Sequence, residues 1–289
     1  MNQPIYYING NYVPESEAKL SVFDLSILRG FGVFDYLRTY KKRPFHLWDH
    51  LERLNYSAEN LSLKVPCSLA KIANIIDSLI KLNQLEEAGI KIIVTGGISP
   101  DQFTPQTASL IVLVFALTKY PKLFYTKGIS AITTSLARSF PKLKTTQYIP
   151  AIVTLHANHQ AKEAIYLNQA RELLEATTSN FFCFKKNILY TCNSDEILLG
   201  VTREIVLKLA SQKFPVQLRP ITYEELSTID EAFITASNKE IVPIIKIDHH
   251  QIGTGKVGVR TKEMIQVFRE YTQQSEWKSL SIPRHVINK

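Results

Sequence analysis

Arg138-Ser139-Phe140-Pro141-Lys142-Leu143-Lys144-Thr145-Thr146-Gln147-Tyr148 and, further along, Glu175-Ala176-Thr177-Thr178-Ser179-Asn180-Phe181-Phe182 are the two stretches that decide how this chain reads. The first sets a lysine among apolar and hydroxyl residues. The second places a glutamate ahead of a small polar turn and an aromatic strand. On either side of them the hydrophobic pattern switches repeatedly between helical and strand periods without a regular βαβ alternation, so the chain reads as α+β.

Toward the N-terminus, Ile5–Ile8 and Asn11–Val13 flank Asn9-Gly10, a dipeptide suited to the positive backbone angles of a tight hairpin. Val33–Tyr40 reads as a strand. Leu47, Leu51, Leu54, Ala58 and Leu61 have helical spacing over 47–63, and 68–82 is a second helix. Ile90–Thr95 and Ser109–Leu117 are β-rich and separated by the sharp turn Gly96-Gly97-Ile98-Ser99-Pro100. This gives a smaller domain over 1–117 and a linker over 118–127, where Tyr120-Pro121-Lys122 breaks the pattern. The larger domain, 128–289, is expected to hold strands at 129–135, 164–167, 181–184, 188–190 and 231–235. Its helices are expected at 150–164, 202–210 and 257–271.

The composition narrows the function classes. With 289 residues, 45% of them hydrophobic, the chain can bury one large core or two ordinary ones. The net charge of +8 is dispersed in small groups such as Lys41-Lys42-Arg43, which argues against nucleic acid and favours anionic substrates. Cys67, Cys183 and Cys192 have no metal-ligand spacing and are expected as free thiols in a reducing compartment. Met1–Tyr7 lacks a basic region followed by an apolar core, and no stretch reaches membrane-spanning length, so the expected location is the cytoplasm, with no membrane partner.

Several residues could carry chemistry. A nucleophilic lysine must lose its proton, which requires partial burial or a neighbouring cation, although most lysines are solvated surface charges. A carboxylate such as Glu175 can hold a pyridine nitrogen protonated, although a glutamate before a strand is commonly exposed. Leu199-Gly200-Val201-Thr202-Arg203 is a glycine turn entering a helix, where free N–H groups, the helix dipole and the Thr202 hydroxyl suit a phosphate; the same residues also make an ordinary cap. Arg53 could add a bidentate guanidinium, or be a surface partner of Asp49 or Glu52. Ser237 and Asn238 form a small polar turn after a strand, fit for a phosphate or a substrate carboxylate. His156 and His159 sit three apart in the expected helix 150–164 without a third ligand, so no metal site is expected. Walker-type and Gly-x-Ser-x-Gly motifs are absent from the sequence.

In sequence order the pieces resemble the class IV aminotransferases, the fold type IV pyridoxal 5'-phosphate (PLP) enzymes. The resemblance spans Ile5–Gly10, Gly32–Tyr40, His50-Leu51-Glu52-Arg53-Leu54, Lys144-Thr145, Glu175–Phe182, Gly200–Arg203 and Glu240-Ile241-Val242-Pro243. It implies a two-domain α+β transaminase with the PLP site at the domain interface. Lys144 would be the Schiff-base lysine and proton shuttle, and Glu175 would face the pyridine nitrogen. Arg53, Gly200, Val201, Thr202, Ser237 and Asn238 would surround the phosphate. The resemblance further implies a homodimer in which a loop near 28–32 completes the partner's active site.

The substrate follows from departures within that resemblance. Branched-chain enzymes usually place tyrosine before the first glycine of the early loop and glycine two residues after Phe34, where this chain has Arg29 and Tyr36. D-amino acid transaminases of the Bacillus type carry an Arg-x-His pair after the Gly-Gly loop, where this chain has Pro100-Asp101-Gln102-Phe103. Arg29, Phe34, Tyr36 and Asn238 are the expected substrate contacts, with Arg29 replacing the missing clamp. The favoured expectation is a divergent D-amino acid transaminase using 2-oxoglutarate. The alternative is a branched-chain L-amino acid aminotransferase, followed by an aminodeoxychorismate lyase, with threonine commonly at the Tyr36 position. The non-enzymatic alternative is a PLP-binding protein without turnover.

Overall fold

The computed structural model describes residues 3–280 and 282. Met1 and Asn2 of the stretch read for a leader, and residues 281 and 283–289 of the expected larger domain, lie outside the described residues. The chain divides into two compact units. Unit 1 extends through Thr118 and includes Leu143–Gln147 and the described residues from Glu276, while unit 2 holds Lys119–Lys142 and Tyr148–Ser275.

This division differs from the one read from the sequence. Leu143–Gln147 belongs to unit 1 although the chain on both sides of it belongs to unit 2. The cause is backbone pairing: Phe34 N–H donates to the Lys144 carbonyl at 2.9 Å, Thr146 N–H donates to the Gly32 carbonyl at 2.9 Å, and Val33 stands opposite Thr145. A local periodicity cannot show such a long-range ladder. The segment expected as a linker also carries a short helix, Lys122–Thr126.

Unit 1 is an antiparallel sheet under two helices. Its elements are β1 (Ile5–Ile8), β2 (Asn11–Pro14), α1 (Leu25–Arg29), β3 (Gly32–Tyr40), β4 (Arg43–Pro44), α2 (Leu47–Asn60), α3 (Leu69–Leu82), β5 (Ala88–Thr95) and β6 (Ser109–Ala116). The strand order is β2-β1-β6-β5-β3-β4. Asn9 and Gly10 take φ values of 47° and 102°, the left-handed angles the β1–β2 hairpin requires. Ser68 caps α3 by accepting from the Lys71 N–H at 3.2 Å. Leu51, Leu54 and Ala58 of α2 and Ile72, Ile76 and Leu79 of α3 pack with Val33, Leu37, Ile90, Ile92 and Val112 of the sheet. On β3 the pleat buries Val33, Asp35, Leu37 and Thr39 on the core face and leaves Phe34, Tyr36 and Arg38 half-buried on the other.

Unit 2 is built on a mixed sheet. It contains α4 (Lys122–Thr126), β7 (Ile129–Thr134), α5 (Ile149–Ala157), β8 (Glu163–Leu167), β9 (Glu172–Ala176), β10 (Ser179–Lys185), β11 (Ile188–Tyr190) and α6 (Val201–Ala210). Then follow β12 (Val216–Gln217), β13 (Ile221–Thr222), β14 (Glu231–Ala236), β15 (Glu240–Ile247), β16 (His250–Gln251) and α7 (Val259–Thr272). Because β10 pairs both β14 and β9, the strands β10, β14, β15, β7, β8 and β9 close on one another into a ring. The closing seam is short, Ser179 opposite Ala176 and Asn180 opposite Glu175.

Three features of unit 2 follow from tertiary pairing. The helix expected over 150–164 ends at Ala157, because Glu163–Leu167 is drawn into a parallel pairing with β7. Glu172–Ala176, rich in helix formers, becomes a strand between β8 and β10. Pro243 sits inside β15, where the pairing to β7 begins only at Ile244, so its missing N–H interrupts no ladder on that side. Among the described residues no helix is long and apolar enough to cross a membrane.

Candidate active site

Unit 1 places Lys144 through its backbone. Besides the pairing with β3, the Lys144 N–H donates to Ser57 Oγ of α2 at 3.1 Å. Its ammonium lies 4.7 Å from the centroid of the Phe34 ring, and Lys91 Nζ from β5 lies 4.8 Å from the same centroid. Lys91 is opposite Tyr36 in the β3–β5 register. Phe34, Tyr36, Lys91 and Lys144 thus form one aromatic and cationic surface on this unit. Sequence reading missed Lys91, whose signal was a charge inside an otherwise apolar strand.

One helical turn before Ser57, Arg53 is held in the interior rather than at the surface. Its Nε and Nη2 donate to the two oxygens of Asp35, each at 2.8 Å, and His50 Nδ1 bonds Asp35 Oδ1 at 2.6 Å. Burial alone would raise the Asp35 pKa, but Arg53 and His50 outweigh it and hold the carboxyl well below its usual range. For His50 the balance falls the other way: burial, with the nearby charges of Arg53 and His46, lowers its pKa despite the opposing carboxylate of Asp35. Asp49, weighed as a surface partner for Arg53, instead bonds His46 at 2.7 Å. The signal for Asp35 was its position between Val33 and Leu37 on the core face of a strand.

Arg29 ends α1 with its side chain exposed, its Nη1 donating to the Leu28 carbonyl at 3.1 Å. The turn beneath it is firmly built. Asp24 caps α1 through the Ser26 N–H at 2.8 Å, Gly30 closes it at φ 62°, and Thr146 Oγ1 donates to the Gly30 carbonyl at 3.0 Å. Tyr36 lies across Gly89, where a Cβ would meet its hydroxyl at 2.7 Å.

Unit 2 gathers Glu175, Gly200, Val201, Thr202, Ser237 and Asn238. Glu175, on β9, is buried rather than exposed: Arg138 Nη1 donates to its Oε1 at 2.7 Å and Asn180 Nδ2 to its Oε2 at 3.2 Å. Burial would lower the Arg138 pKa, but Glu175 reverses the effect and the guanidinium stays protonated. Nearby Tyr166 is pushed up to about 12, chiefly by burial, with Arg138 opposing and Glu175 adding to the rise. The turn after Glu175 is fastened to Glu163, which accepts from the hydroxyls of Thr177, Thr178 and Ser179 and pairs with Lys239 Nζ at 2.8 Å. Arg138, Asn180 and Glu163 were not assigned roles from sequence.

The phosphate-type features lie in the same unit. Gly200 is the N-cap of α6 and brings no capping side chain. Thr202 Oγ1 and Ser237 Oγ are 3.5 Å apart at this helix start. The Val201 side chain is buried in the core, so only its backbone is suited to an anion. Asn238 donates from Nδ2 to the Tyr120 hydroxyl at 2.7 Å. His156 and His159 approach edge to face at 5.3 Å, but His159 lies beyond the end of α5. Among the described residues no group of three metal-binding side chains occurs.

Within unit 2, a buried carboxylate suited to a protonated ring nitrogen and an open helix start with two hydroxyls suited to a phosphate fit PLP. The family profile described as Amino-transferase class IV matches residues 32–247. The chain is 33% identical over 273 residues to the "Putative branched-chain-amino-acid aminotransferase" of Methanocaldococcus jannaschii, covering 91% of this chain and 95% of that protein. It is 27% identical to the D-alanine aminotransferase of Staphylococcus haemolyticus, covering 92% and 97%. The T.th. branched-chain amino acid aminotransferase, solved with pyridoxamine 5'-phosphate, superimposes with a TM-score of 0.87 at 26% identity, covering 94% of each chain.

Proposed function

The chain belongs to the class IV aminotransferase family, the PLP-dependent transaminases of two-domain α+β fold, and we propose that it is a D-amino acid transaminase that uses 2-oxoglutarate as acceptor. Bound PLP supplies an electron sink for the substrate's α carbon. In this reading Lys144 Nζ would anchor it and carry the proton removed from the α carbon. Glu175 would accept a hydrogen bond from the protonated ring nitrogen. The α6 amides, Thr202, Ser237 and Arg53 would hold the phosphate.

The observation that carries the substrate reading is Arg29, an exposed guanidinium on a turn tied to the Lys144 segment, in a chain whose 100–103 loop offers no cation. We take Arg29 to act across a homodimer, where it would bind a substrate carboxylate in the partner's site. Exposed apolar side chains on each unit support self-association: Phe23, Ile27, Ile98 and Phe103 on unit 1 and, separately, Ile149, Ile152 and Val153 on unit 2. Lys91, beside Phe34, adds positive charge suited to a diacid. Arg29→Ala should raise the KM for D-alanine and 2-oxoglutarate about tenfold or more. Unchanged KM values for both would remove the substrate reading. Mixing inactive Lys144→Ala protein with Arg29→Ala protein should restore activity if Arg29 serves the other subunit.

A second reading, transamination of branched-chain L-amino acids, is favoured by the 33% identity to the Methanocaldococcus jannaschii protein. L-leucine and D-alanine as competing amino donors separate the two.

A further inference from the structure

Asn180 carries none of the chemistry assigned above, yet it touches both parts of the unit 2 half-site. Its Nδ2 donates to Glu175 Oε2 at 3.2 Å and to the Leu198 carbonyl at 2.8 Å, just ahead of the α6 turn. Its Oδ1 lies 2.2 Å from where a Cβ on Gly200 would stand. The side chain is buried, and its backbone is opposite Glu175 in the short seam that closes the strand ring. We propose that Asn180 is a positioning residue that sets the Glu175 carboxylate relative to the Gly200–Thr202 turn, so that the ring-nitrogen and phosphate ends of the cofactor are registered by one carboxamide. This rests on the PLP reading of both ends.

The inference also explains Gly200. Its φ of −72° is open to any residue, so backbone conformation does not demand glycine there. What excludes a side chain is the Asn180 carboxamide. That group cannot swing away cheaply, because doing so breaks its bonds to Glu175 and Leu198. The next contact a Gly200 Cβ would meet, Arg203 Cβ at 3.4 Å, is an ordinary one. Gly200 and Asn180 are therefore a matched pair, and substitutions at the two positions should not add.

The test is a double-mutant cycle on PLP affinity and on the pH dependence of the bound cofactor's visible absorption, with melting temperature followed in parallel. Asn180→Ala should weaken PLP roughly ten- to a hundredfold, the range for losing a hydrogen bond to a charged group, and should shift the pH midpoint of the absorption. Gly200→Ala should also weaken PLP, whereas Asn180→Ala/Gly200→Ala should bind no more weakly than Asn180→Ala alone. Additive losses, or a lowered melting temperature with unchanged PLP affinity and unchanged pH midpoint, would overturn the inference. Asn180→Gln, which keeps the amide, gives a second variant should the alanine protein not fold, with the same affinity and pH readouts expected to move. If wild-type protein shows no PLP absorption at all, the cofactor reading fails instead.

Discussion

Arg53 in unit 1 and Glu175 in unit 2 are buried groups of opposite charge, and the fold neutralises them differently. Arg53 spends two N–H donors on the single carboxylate of Asp35, which His50 also bonds. Glu175 receives Arg138 at one oxygen and Asn180 at the other. The first arrangement concentrates the restraint in one ion pair. The second distributes it, so the carboxylate is aimed from two directions.

If the contrast is real, Asp35→Asn should be the most damaging of the changes at these pairs. It takes the negative charge from a buried guanidinium and should cost about 3–5 kcal/mol in denaturant unfolding at pH 7. The sign with pH is fixed by the depressed Asp35 pKa. Its stabilisation is present above the unfolded aspartate value of about 3.9 and is lost as pH falls through the folded value, so the gap between wild type and variant should narrow only in strong acid.

Arg138→Met should cost less, about 2–3 kcal/mol, because Glu175 keeps the Asn180 bond; a loss equal to that of Asp35→Asn would erase the distinction between the two arrangements. Tyr166→Phe should be the mildest, about 1 kcal/mol or less at neutral pH. The folded Tyr166 pKa, about 12, lies above the unfolded value of about 10, so its contribution is complete below pH 10 and fades as pH rises toward 12. Wild type should lose stability more steeply than Tyr166→Phe in that window, as followed by unfolding at stepped alkaline pH.

The same contrast separates what could be read from the sequence from what could not. Arg53, Thr202 and Ser237 stand beside recognisable local signals, a helix with regular spacing, a glycine turn and a polar turn. Most strands and helices of unit 1 fell near their expected places because their hydrophobic periods are strong. The partners were harder. Asp35, Arg138 and Asn180 act through contacts 18, 37 and 5 residues away, which come from a helix packed on a strand, an irregular segment reaching β9 and the β9–β10 pairing. Glu172–Ala176 illustrates the limit: its composition favours a helix, and its strand form exists because β8 and β10 pair with it. Leu143–Gln147 joins unit 1 for the same reason.

Whether Lys144 carries the chemistry on bound PLP is best decided by the visible absorption of PLP-saturated wild type and Lys144→Ala protein, each followed after D-alanine and, separately, L-leucine. The wild type should show a band that D-alanine diminishes and L-leucine leaves, with no corresponding response in Lys144→Ala. An equal band and equal loss in both proteins, or no band in the wild type, would contradict that role.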